Sequence, residues 1–67
     1  MKLEQVTGED RDLLVTALQS LHRERIAAFS SACTACELSG RKCPDSADFG
    51  IQEVTTALRR VGAHPIS

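Results

Sequence analysis

Apolar residues recur at helical spacing through residues 8–33, and they occupy more of the helix circumference than one neighbour can cover. At about 100° per residue, Leu13, Leu14, Val15, Ala17, Leu18, Ile26, Ala28, Phe29, Ala32 and Cys33 fall on an arc of about 220°, against the ~100° stripe of a helix packed on one partner. The stretch has no Pro and no internal Gly after Gly8. Thr7 followed by Asp10 has the spacing of a capping box, and Glu9, Asp10 and Asp12 suit the positive end of a helix. Helix 1 is expected over residues 8–33, after a flexible lead of residues 1–6.

Residues 34–45, with Gly40 and Pro44 as breakers, read as a connecting loop. Helix 2 is expected over residues 46–61, N-capped by Asp45 or Ser46 and closed by Gly62, with a tail at residues 62–67. Within it Ala47, Ile51, Val54, Leu58 and Val61 repeat at four and three residues, a narrow seam of coiled-coil type. The fold class expected is all-α: an antiparallel two-helix hairpin with a cysteine-rich connecting loop, forming one domain.

The narrow seam cannot cover the broad arc. The surplus calls for a homodimer that completes a four-helix bundle, or for another protein docked on helix 1. The candidate partner-binding residues are Leu13, Val15, Leu18, His22, Arg25, Ile26, Phe29 and Phe49. Phe49 lies opposite the seam, so it either folds over the cysteine loop or belongs to an interface. Arg25 falls inside the arc, where it snorkels to solvent, pairs with Glu53, or meets an acidic group on a partner. His22, at the edge of the arc, is read as a packing residue with one hydrogen bond, with a ligand or pH-sensing role as the alternative.

Composition narrows the classes. With 67 residues, Phe29 and Phe49 as the only aromatics, the chain is near the size where a core needs a staple or a partner. The formal charge is -1 and the signs alternate along the chain, which disfavours nucleic acid and anionic membranes. No run approaches the ~20 apolar residues of a membrane span, and no leader pattern is visible, so a cytoplasmic chain is expected.

The three cysteines all lie within residues 33–43. Cys33 and Cys36 have the spacing of two zinc-binding thiolates, and Cys43 is near enough to be a third. The candidate zinc set is Cys33, Cys36, Cys43 and Asp45, with water or a neighbouring chain as substitutes for Asp45. His22 would lie about 16 Å from Cys33 along a continuous helix, and His64 follows the far end of helix 2; both are poor ligands. Two other readings stay open. The thiols are free and reduced, the default for a chain without a secretory signal, or Cys43 forms a disulfide with one member of the pair. A thioredoxin-like role is weaker, because the pair would stand at a helix C-terminus and no strand pattern accompanies it.

An amphipathic helix, Cys33-x-x-Cys36, a polar loop with Gly40, then Cys43 with Asp45 close behind and a second amphipathic helix: this order resembles short uncharacterised proteins of bacteria, often actinobacteria, and their phages. The likeness covers about residues 10–62. In that pattern an Asp-His pair follows the third cysteine, whereas here Asp45 is followed by Ser46, so the histidine ligand is missing.

The function expected is a small non-enzymatic interaction module, a phage-encoded or bacterial modulator that inhibits a target protein through helix 1, in the host cytoplasm if phage-encoded. The alternative is a zinc-stapled nucleic-acid-binding module using Arg23, Arg41, Lys42, Arg59 and Arg60. A thiol-disulfide redox protein comes third.

Overall fold

A computed structural model describes residues 2–65; Met1 and the last two residues of the expected tail lie outside it. The chain is all-helical, with no strand among the described residues. A short 3-10 turn at Leu3–Gln5 leads into α1, Gly8–Leu38, and a second 3-10 turn at Ser46–Phe49 leads into α2, Ile51–Arg60. The two helices form an antiparallel hairpin: Arg11 at the start of α1 reaches the carbonyls of Val61 and Gly62, while Phe29 meets Phe49 and Cys33 meets Cys43.

α1 begins at Gly8 as expected but ends at Leu38, five residues beyond the expected end at Cys33. The residues Thr34 to Leu38 contain no breaker, and the Thr34 hydroxyl donates to the Ser30 carbonyl at 3.1 Å without leaving the helix. Termination waits for Gly40, whose φ of +71° supplies the left-handed residue of a closing turn. Gly40 N–H then donates to the Glu37 carbonyl and Arg41 N–H to that of Cys36. The connecting loop is therefore shorter than the expected 34–45, and the Cys33-x-x-Cys36 pair lies inside the helix. At the other end Thr7 is the N-cap residue but its side chain makes no capping bond, so the expected capping box does not form.

The second arm departs from a continuous helix over 46–61. Gly50, at φ +70°, breaks it into a 3-10 turn and a ten-residue α-helix. Asp45 caps the first piece, accepting from the Ala47 N–H at 3.0 Å. Only the later part of the predicted seam is buried: Val54, Leu58 and Val61 form the buried core among the described residues, while Ile51 is half-buried and Ala47 exposed. The lead is also more ordered than expected, because Glu4 forms a two-pronged ion pair with Arg60.

α1 is about 46 Å long at 1.5 Å per residue, which accounts for the 48 Å long axis of the molecule. α2 is only about 15 Å long. Every buried side chain of the core comes from the second arm, and α1 contributes none.

Candidate interaction surface

The eight candidate partner-binding residues separate into two groups. Leu18, His22, Arg25 and Phe29 share the meridian of α1 that carries Arg11, within about 40° of it, and that meridian faces the second arm. All are half-buried, as is Val15 on its border. Arg25 donates from Nη1 to the Gly50 carbonyl at 2.9 Å. This is neither of the expected pairings with Glu53 or a partner, and it satisfies a carbonyl at the break between the 3-10 turn and α2.

Phe49 folds back onto α1. Its ring stands edge-on to Phe29, with centroids 5.4 Å apart and planes at 80°, the arrangement aromatic quadrupoles favour. A continuous helix would have turned Phe49 away from the seam; the left-handed Gly50 re-aims it. His22 is partly enclosed by this inner side. Its Nδ1 is buried without a hydrogen-bond partner among the described residues.

Leu13 and Ile26 lie outside this inner side. Leu13 is 72 % exposed and Ile26 40 %, and Leu38, in the helical extension, is 85 % exposed. Leu13 and Leu38 point within about 20° of each other and roughly 140–180° away from Leu18 and Phe29, on the side of α1 opposite the second arm. Ile26 lies on one flank. Next to Leu13 an open hollow of about 380 Å³ is lined by Val6, Asp10, Leu13, Leu14 and Ala17, almost wholly with apolar atoms. A second hollow, bounded by Ser30, Ser31, Thr34, Ala35 and Leu38, lies near the other end of the helix.

The cysteine turn does not assemble the expected zinc set. Cys33 and Cys43 are joined in a disulfide with Cα atoms 4.8 Å apart, leaving Cys36 as a half-buried thiol. Asp45 turns its carboxylate to the Ala47 N–H, and among the described residues no group of three His, Cys, Asp or Glu is arranged to hold a metal ion. Of the three readings of the cysteines, the structure adopts the disulfide, against the default of reduced thiols. The choice of Cys33–Cys43 over a Cys33–Cys36 pair has a geometric reason. Residues three apart on an intact helix hold their Cβ atoms about 5–6 Å apart, whereas a disulfide needs about 3.5–4.5 Å. The returning loop supplies the shorter approach.

No family model, curated protein or solved structure matches this chain. No helix among the described residues is long and apolar enough to cross a membrane.

Three polar anchors had no signal in the hydrophobic pattern. Arg11 donates from Nε to the Val61 carbonyl at 2.8 Å and from Nη2 to that of Gly62 at 3.2 Å, placing a cation at the negative end of α2. Gln19 donates to the His64 carbonyl at 3.0 Å. Arg60 clasps Glu4, and the pairing holds the Glu4 carboxyl below the usual carboxylate range and raises Arg60 above its ordinary value. Long-range pairs of this kind depend on how the arms fold back, which local spacing does not encode.

Proposed function

We propose that this chain is a non-enzymatic protein-interaction module that binds through the exposed circumference of α1, and that it acts as a bacterial or phage-encoded modulator blocking a target protein. The observation that carries this reading is the imbalance between the arms. A 31-residue helix contributes no buried side chain, yet keeps Leu13 and Leu38 largely exposed and Ile26 partly so. Apolar groups held out on a rigid scaffold are the anchors of helix-in-groove and helix-bundle recognition. Association of two hairpins into a four-helix bundle is one form of that binding. The disulfide and the Phe29–Phe49 contact fix the far half of the hairpin, so the binding helix meets its partner already ordered.

A photo-crosslinking residue placed at Thr16 or Ile26, with Gln52 on α2 as the control position, tests the assignment in cells. Adducts with a defined protein from the α1 positions, lost when Leu13 is changed to Glu, support it. Adducts only from Gln52, or only to nucleic acid, refute it.

A further inference from the structure

Building on the assignment of α1 as the binding surface, we infer that its partner is a second copy of this chain, packed antiparallel along the side of α1 that faces away from α2. Between Leu13 and Leu38 that side carries Ala17, Ala27, Ser31 and Ala35, all exposed and all within about 40° of one meridian. Small side chains let two helices approach closely, and a large one at each end supplies the anchor. An antiparallel register that sets Leu13 against Leu38 of the second copy does so at both ends at once. It also brings the hollow beside Leu13 opposite the hollow beside Leu38, so that each leucine enters a recess on the other chain.

Charge selects this orientation over the parallel one. In the same register Glu9 and Asp10, in the first turn of α1, lie near the far end of the second copy's α1, where Arg41 follows the closing Gly40. None of these three takes part in an ion pair within the chain among the described residues. Arg23 and Glu24 near the centre fall within side-chain reach of their counterparts in opposite sense, and the two helix dipoles oppose. A parallel pair would instead set the acidic ends side by side.

Surface area matches the same occupant. The chain exposes 4906 Å², whereas a compact monomer of 7.3 kDa is expected to expose about 4,200 Å². The surplus of roughly 700 Å² is close to the ~800 Å² that each partner buries in a standard stable interface.

Native mass spectrometry and sedimentation at tens of micromolar test the inference on the full chain with its disulfide intact. The expected species has twice the 7.3 kDa chain mass. Leu13→Glu and Leu38→Glu should each weaken association by at least about tenfold. Both side chains are mostly solvent-facing, so helicity by circular dichroism should be unchanged. A spin label at Asp12→Cys in a Cys36→Ser background should report about 40 Å between copies in the antiparallel register, against less than about 20 Å in a parallel one. A short distance overturns the orientation, and a dimer indifferent to both leucine substitutions overturns the face. A wild-type monomer at these concentrations overturns the second copy as occupant, while cross-linking from α1 to a different protein would leave the binding surface itself standing.

Discussion

Arg25 and Gly50 are joined by a 2.9 Å hydrogen bond that ties the middle of α1 to the break in the second arm. Gly50 holds a φ of +70°, a conformation costing an ordinary L-residue about 1–2 kcal/mol, and a Cβ there would collide with the Arg25 guanidinium. Gly50→Ala is therefore expected to destabilise by at least that amount. Arg25→Ala should cost a further about 1–2 kcal/mol in the wild-type background, because it strands the Gly50 carbonyl. The two changes should not add: once the methyl group introduced by Gly50→Ala has displaced the guanidinium, removing Arg25 costs less. Urea unfolding of the two single variants and the double variant measures that coupling, expected to be at least about 0.5 kcal/mol.

The Cys33–Cys43 disulfide closes a short loop, and the chain-entropy relation assigns such a loop about 3 kcal/mol. In a domain with so few buried side chains that is a large share of the total. Cys43→Ser, or reduction, should lower the melting temperature by more than about 10 °C. Far-UV dichroism at low temperature should barely change, since α1 closes at Gly40 through its own backbone bonds. Cys36→Ser should leave the melting temperature within a few degrees of wild type.

The hairpin was legible because its signals are local: the absence of breakers after Gly8, the seam through Val54, Leu58 and Val61, and the closing Gly62. α1 runs past the expected end at Cys33 for a local reason. A Cys-x-x-Cys motif suggests a metal loop, but nothing in Thr34–Leu38 stops a helix, and Gly40 is the first residue that does. The expected helix over 46–61 runs straight through Gly50; that Gly50 turns left-handed and swings Phe49 onto Phe29 depends on α1 standing beside it. The candidate surface was legible as an excess of apolar circumference. Its division into an inner side around Leu18 and Phe29 and an outer side with Leu13 was not, because the wheel alone does not say where the second arm lies.

His22 offers a test of the inner side. Its Nδ1 is buried without a partner among the described residues, and such a group carries a desolvation cost that an apolar side chain of similar shape does not. His22→Leu is expected to raise stability by about 1 kcal/mol, read as a higher urea midpoint with an unchanged denaturant slope. A lower midpoint would show that the imidazole holds a contact the hairpin needs.

Glu4 and Arg60 give the lead a pH-dependent hold. The hydrogen bonds from Arg60 are the main cause of the depressed Glu4 carboxyl, with the opposite charge adding to them. A carboxylate whose pKa is lower in the folded chain stabilises it above the unfolded value and loses that contribution as pH falls through the folded one. Arg60 moves the other way, upward, because of the same contact, so the pair also loses its hold in strong alkali, as the guanidinium gives up its proton. The turn at Leu3–Gln5 should therefore stay docked at neutral pH and release in acid. Because the pair is solvent-exposed, added salt should weaken the hold even where both groups are charged. An NMR titration should place the Glu4 carboxyl midpoint below that of an unpaired glutamate. Faster amide exchange at Val6, whose N–H donates to the Leu3 carbonyl at 3.2 Å, should appear over the same pH interval. Glu4→Gln should abolish the acid transition at Val6 while leaving the melting of α1 and α2 nearly unchanged; a persistent transition would assign the hold to another carboxylate.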